Sequence, residues 1–144
     1  IGAISSARLI PLRQELELCQ YHLKIMSCRR SAQYFLHTEH LPEEASVPPL
    51  LFHSLIENGI THSFKPTEQG TFWLSSEEDD TQIRYIMKND GSLLQKLSPD
   101  DPWEEGIGIK YVKSRLEESY PGKWQLEYGL RDSKWETVIS VPHS

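Results

Sequence analysis

Apolar residues recur four and three apart near the start of the chain, at Leu12, Leu16, Cys19, Leu23 and Met26. That spacing predicts a helix from Pro11 to about Arg30 with a narrow apolar seam. The seam either packs on its own domain or also continues toward a dimer stalk upstream. Glu15 and Glu17 lie early in this segment and Lys24, Arg29 and Arg30 late, which suits the helix dipole. A second helical pattern follows the Pro48-Pro49 pair. Leu51 and Leu55 run along one side, Phe52, Ile56 and Ile60 form a second row, and Lys65-Pro66 stops the pattern near Phe64. Alternation of period two then predicts strands over 71–76 and 81–88, joined by an acidic turn at 77–80. Ile83, Tyr85, Met87 and Asn89 share one parity. A third helix is predicted over 107–120, closed by Pro121-Gly122. A hairpin over 124–130 and 134–141 turns at Asp132-Ser133, with Trp135, Thr137, Ile139 and Val141 on one face. A short strand is expected at 33–38. Residues 1–10 show no strong period, and 41–49 and 91–106 look irregular.

Helices interleaved with hairpin strands predict an α+β fold, a two-layer sandwich. Its sheet should be mixed but mostly antiparallel, with helices covering one face. The 144 residues suffice for one domain with one sizeable core. The net charge of −6 argues against a nucleic-acid surface. No apolar run is long enough to span a membrane, so no membrane contact is expected of this segment. Cys19 and Cys28 would lie roughly 13 Å apart along one helix, too far to bridge, and free thiols fit a reducing cytosol. A chain that opens on Ile1 reads as a piece of something longer. On this reading 1–11 is an N-terminal extension or linker remnant and 12–144 the domain proper.

Four segments carry candidate chemistry. In the second helix Ser54, Asn58 and His62 are spaced by four and form a polar stripe on one face. An apolar helix gains nothing from an amide in its surface, whereas a helix holding a metal-bound polyphosphate does. An amide oxygen is a hard ligand suited to Mg²⁺. Glu57 stands ready to order a metal-bound water or pair with a basic lid residue, and His62 to donate to a phosphate. Taken singly, Asn58 is equally a helix-surface amide and His62 an ordinary histidine. The second segment is the strand end Asn89-Asp90-Gly91. Asn89 there can accept from an adenine amino group, and Gly91 lets backbone approach the ring, although Asn-Asp-Gly is also a plain turn. The third is Glu105-Gly106-Ile107-Gly108-Ile109-Lys110, where glycines at a helix start expose N–H groups to an anion. Lys110, Lys113 and Arg115 add local positive charge. The fourth is Thr137, the one polar member of its strand row, whose hydroxyl needs a partner such as adenine or backbone.

Taken in order, these segments resemble the ATP-binding domain of the GHKL (Bergerat) superfamily, and most closely the LytS/YehU type of sensor histidine kinase. The resemblance spans nearly the whole chain. Leu12-Arg13-Gln14-Glu15-Leu16-Glu17 resembles that family's pre-domain helix. Val47-Pro48-Pro49-Leu50 with Ile56-Glu57-Asn58-Gly59-Ile60-Thr61-His62 resembles its N box. Asn89-Asp90-Gly91 stands at the adenine motif, Gly106 to Leu116 at the glycine box, and Thr137 at the late Gly-Thr pair. The resemblance implies ATP and Mg²⁺ as cofactors. Asn58 would be the metal ligand and Glu57 and Asn58 the catalytic pair. Asn58, His62, Asn89, Gly91, Gly106, Gly108, Lys110 and Thr137 would hold the nucleotide under a lid over 92–105. It implies phosphoryl transfer to a histidine in an upstream segment of the same protein, relay to a response regulator, a homodimer at full length, and a cytoplasmic domain of a membrane-anchored bacterial sensor. Related alternatives are a degenerate nucleotide-binding pseudokinase and an anti-sigma-type kinase. The chain departs from the pattern in several places. Thr61 replaces the usual lysine, Asn89 the common aspartate, and Ser92-Leu93 an expected glycine, while Glu136 precedes Thr137. Ser54 stands where gyrase-type ATPases keep a water-activating glutamate, so hydrolysis to water should be slow. The phosphoacceptor pattern His-Phe-x-Phe-Asn is absent, and His22 lacks those neighbours.

Overall fold

The computed structural model describes residues 8–96 and 106–143. Helix α1 spans Leu12–Arg30, and its seam turns inward as the spacing requires. Leu12, Cys19 and Leu23 are buried, with Leu16 and Met26 packed at the margin of the same core. Strand β1, Ile10–Pro11, immediately precedes it and pairs antiparallel with β3, Ser46–Val47. This two-stranded patch was not visible as periodicity, because two residues are too few to alternate. Its continuation satisfies the first donors of α1, which have no partner inside the helix. The Leu12 N–H donates to the Ala45 carbonyl at 2.7 Å, and the Arg13 N–H to that of Glu43 at 2.9 Å.

The main sheet comprises β2 (Tyr34–Glu39), β4 (Gly70–Glu78), β5 (Gln82–Asn89), β6 (Gln125–Arg131) and β7 (Lys134–Pro142). Their spatial order is β2-β4-β5-β7-β6. The pair β2–β4 is parallel and the other pairs are antiparallel, the mixed sheet expected. The parallel pair needs a crossover, and the intervening chain supplies it with α2, Leu51–Ser63. Helix α3, Ile107–Ser119, completes the helical layer.

One row of each central strand faces those helices. Phe72 and Leu74 of β4, Ile83, Tyr85, Met87 and Asn89 of β5, and Trp135, Thr137, Ile139 and Val141 of β7 are all buried. Of these, Phe72, Leu74, Ile83, Tyr85, Met87, Ile139 and Val141 share one core with Phe52, Ile56 and Ile60 of α2 and Ile109, Val112 and Leu116 of α3. Edge-on aromatic pairs lock the layers, Phe52 to Tyr85 at 5.2 Å and Phe64 to Phe72 at 5.8 Å between ring centres. Burying each such side chain stabilises by about 1.5–3 kcal/mol. Within the segment expected to be irregular, Ser92–Lys96 form a turn of 3-10 helix. The remainder of the expected lid, 97–105, lies outside the described residues, as do 1–7 of the N-terminal extension.

Candidate functional site

Helix α2 is the centre of the site, and α1 grips it at both ends. At its N-terminus the buried Glu15 carboxylate accepts N–H groups from Leu50 at 2.8 Å, Phe52 at 2.9 Å and His53 at 3.1 Å. Leu50, in left-handed backbone at φ 64°, supplies no side-chain cap of its own, so Glu15 satisfies those donors from outside the helix. At the other end Arg30 donates through Nη1 to the Ile60 carbonyl at 2.6 Å and through Nη2 to that of Phe64 at 3.0 Å. The two helices therefore run parallel. An anion meets the positive end of α2 and a cation its negative end. Burial pushes the Glu15 pKa up, against the backbone donors of His53, Leu50 and Phe52 that pull it down.

This clamp fixes the polar stripe. Asn58 is buried, and its Oδ1 points to the glycine-containing start of α3. A Cβ at Gly106 would stand 3.8 Å from Asn58 Oδ1 and 3.7 Å from His62 Nε2. At Gly108 it would stand 3.4 Å from the Ser54 carbonyl oxygen and 3.8 Å from Asn58 Oδ1. Between the two helix faces lies an open cleft of about 700 Å³. Among the described residues, Ser54, Glu57, Asn58, His62, Gly106 and Gly108 are in its wall. Thr61, the departure from the lysine pattern, is there too.

The sheet brings Asn89 against the Gly59 face of α2, next to the polar stripe. A Cβ at Gly59 would meet Asn89 Oδ1 at 3.1 Å and Phe72 Cε1 at 2.7 Å, so only glycine lets this strand end approach the helix. Asn89 donates through Nδ2 to the Asp90 carbonyl at 2.8 Å, and Asp90 accepts the Thr71 N–H at 2.9 Å. Gly91 adopts φ 140°, and a Cβ there would lie 2.2 Å from the Ser63 carbonyl oxygen. Glu68 ties this corner down, accepting from the Lys65 N–H at 2.8 Å, the Ser92 N–H at 3.0 Å and the Ser92 hydroxyl at 2.9 Å.

Thr137 lies buried in the neighbouring strand opposite Met87, on the helix-facing side with Asn89, and is not in the wall of the Asn58 cleft. Lys110 is exposed and is not in that wall either, whereas Ile107 and Tyr111 of the same helix are. The grouping thus unites Glu57, Asn58, His62, Gly106 and Gly108 around the cleft, and Asn89 and Gly91 against the sheet-facing side of the same helix. Two features near α2 escaped the motif reading. His22 of α1 stands with its Nε2 3.4 Å from Glu57 Oε2, and its ring centre is 4.1 Å from that of His53. Burial lowers the His22 pKa, with His53 and Arg29 acting in the same sense and Glu57 opposing them. The other is the Glu68 clasp, whose partners are set by loop geometry rather than by spacing.

No protein-family model matches the chain. It is 28% identical over 100 residues to the sensor protein LytS of Oceanobacillus iheyensis, covering 67% of this chain and 17% of that protein. The matched segment is thus a small part of that relative. Among solved structures, the nucleotide-free catalytic domain of the histidine kinase ThkA superposes with a TM-score of 0.64 at 15% identity, covering 94% of this chain and 96% of that one. The Acinetobacter baumannii histidine kinase AdeS gives 0.69 at 16% identity over 95% of this chain and 67% of that one. ThkA in complex with the response regulator TrrA gives 0.62 at 15% identity, covering 95% of this chain and 42% of that one.

The chain has the fold of histidine-kinase catalytic domains. Its sequence resemblance is to the LytS type of sensor kinase, in agreement with the motif order along the chain. In that fold α2 and α3 are adjacent in the helical layer, although residues 64–106 separate them in sequence. No helix among the described residues is long and apolar enough to cross a membrane.

Proposed function

We propose that this domain binds Mg-ATP and transfers the γ-phosphoryl group to a histidine outside the segment, for relay to a response regulator. The observation that carries the reading is the meeting of Asn58 Oδ1 with the Gly106 and Gly108 backbone across an open cleft. The residues fit the group. The amide oxygen of the buried Asn58 is a hard ligand, and Mg²⁺ takes few protein ligands beside phosphate oxygens and water. The bound ion would neutralise charge on the phosphates. Gly106 and Gly108 lack the Cβ atoms that would narrow the wall, and the start of α3 offers N–H groups to phosphate oxygens. Asn89 and Gly91 would receive the adenine, with Thr137 behind them in the sheet. His62 would donate to a phosphate. Glu57 would orient the incoming nucleophile from the outer edge of α2. Catalysis in such a site is mostly positioning and charge stabilisation.

The ThkA complex with a response regulator supports a regulator as downstream partner. The resemblance to the sensor protein LytS supports a place in a longer sensor. In this proposal that sensor carries the phosphoacceptor segment upstream, forms a homodimer and is membrane-anchored. The test is Mg²⁺-dependent binding of ATP by this chain and by Asn58→Ala. A binder gains about 2.7 kcal/mol of stability at a hundredfold excess of nucleotide over Kd, which melting detects, and the variant should lose that gain. Phosphotransfer in a longer chain containing the upstream helices separates a kinase from a pseudokinase. Absence of any magnesium-dependent nucleotide binding rejects the proposal.

A further inference from the structure

Two histidines outside the set that the motifs single out, His22 and His53, join Glu57 in bringing three metal-competent atoms within 4.8 Å of one another. We propose that these residues form a site for a borderline-soft divalent transition-metal ion, zinc(II) in the first instance, at the seam between α1 and α2. Two ligands come from consecutive turns of α2, because His53 and Glu57 are four apart and share a face. The third comes from α1. The Glu15 and Arg30 clamps hold the two helices in register on either side of it, so the three donors are positioned by rigid elements rather than by loops.

The geometry is close to what a small ion demands. His22 Nε2 and Glu57 Oε2 are 3.4 Å apart. In a tetrahedral site with bonds of ~2.0–2.1 Å, neighbouring ligand atoms lie ~3.3 Å apart, so this edge is already set. His22 Nε2 is buried and makes no aligned hydrogen bond, although it stands within ion-pairing distance of Glu57. A buried ring nitrogen in that condition calls for a partner. Side-chain rotation alone would close the remaining spread. The donor set also selects the ion. Two imidazoles and one carboxylate suit Zn²⁺, Ni²⁺ or Cu²⁺, whereas Mg²⁺ prefers oxygen ligands. This site is therefore chemically distinct from the amide at Asn58. His53 and Glu57 are also in the wall of the cleft, so the fourth coordination position opens toward it. If the nucleotide reading holds, an ion here withdraws the Glu57 carboxylate from the cleft.

The test uses the whole chain, stripped with a chelator and titrated with Zn²⁺ alone by calorimetry, and with Co²⁺ read by its visible absorption. One equivalent should bind. His22→Gln and His53→Gln should each weaken binding by more than about tenfold, since even losses in the outer shell of a metal site reach that size. The double variant should abolish the cobalt spectrum. Melting in chelator shows whether each variant folds, and Asn58→Ala, a folded chain with the trio intact, should retain zinc uptake. A large excess of Mg²⁺ should not displace the zinc. Failure of the wild-type chain to take up Zn²⁺, or unchanged affinity in the folded double variant, overturns the proposal. Neither result bears on ATP binding, which is read from Asn58→Ala.

Discussion

Glu15 of α1 accepts the backbone N–H of Phe52 in α2 at 2.9 Å, and with it those of Leu50 and His53. The carboxylate is fully buried, so water cannot replace it if it is lost. Glu15→Ala leaves three donors at a helix start without a partner, and each buried unsatisfied group costs about 1–3 kcal/mol. Relaxation and entering water recover part of this. The expected net loss is about 3 kcal/mol, read as a fall in urea midpoint with unchanged slope. Glu15→Gln keeps one acceptor and should lose less. Equal losses in both variants would mean that side-chain packing, not capping, is what Glu15 provides.

The same residue shows where sequence reading runs out. Periodicity placed α1 and its seam correctly, because Leu12, Cys19 and Leu23 must face something apolar. It assigned Glu15 and Arg30 to the dipole of their own helix, whereas both act on α2, thirty or more residues away. A charge pattern within one helix cannot reveal a partner in the next. Strand parity was more informative. Ile83, Tyr85, Met87 and Asn89 share a face in the sequence and are all buried in the fold, because a period of two leaves no other choice. The motif order named Asn58, Gly106 and Gly108 together, but only the adjacency of α2 and α3 makes them neighbours. The β1–β3 patch, the Glu68 clasp and the His22–His53 contact depend on loop closure and interhelical rotation, for which the chain carries no local signal.

Glycine at positions 59 and 91 is a steric requirement of the corner around Asn89. At Gly91 an added Cβ would sit 2.2 Å from the Ser63 carbonyl oxygen, at a φ of 140° that side chains rarely adopt. Gly91→Ala should therefore lose more than about 2 kcal/mol. At Gly59 the Cβ would press on Phe72 and Asn89, and overpacking of this kind costs about 1–3 kcal/mol. Gly129 in β6 has nothing within 4 Å of its Cβ position, so Gly129→Ala should be neutral or slightly stabilising. Thermal melts of the three variants check the order, and nucleotide affinity of Gly59→Ala checks whether moving Asn89 matters to the site.

The two cysteines should report on folding separately. Cys19 is buried in the α1 seam and Cys28 is exposed. Burial pushes the Cys19 thiol well above its ordinary pKa, and the charge of Glu15 adds to the effect. The thiolate is the reactive form, so the two should differ by orders of magnitude in labelling rate. A colorimetric disulfide reagent should modify one thiol at once and the second only at the rate at which α1 detaches. Cys28→Ser should remove the fast phase and leave the slow one. A fast phase surviving in that variant would show α1 to be loosely packed.

Glu68 makes the Gly91–Ser92 corner sensitive to acid. Burial raises its pKa, but the Lys65 N–H, the Ser92 hydroxyl and the Ser92 N–H together outweigh that, helped by the Lys65 charge, and the net shift is downward. Between the folded and unfolded pKa values the unfolded chain binds more protons at this group, so stability rises with pH in that interval. The contribution is fully present above the ordinary carboxylate value of 4.5 and is lost as pH falls through the depressed folded value. Glu68→Gln should therefore melt below the wild type at neutrality, and the gap should close in acid. The side chain is partly solvent-exposed, so the gap should be small and should shrink with added salt. Melting both proteins from neutrality to about pH 3 at constant ionic strength measures it. A gap that stays constant across that range would mean that the Ser92 and Lys65 bonds do not depend on the ionised carboxylate.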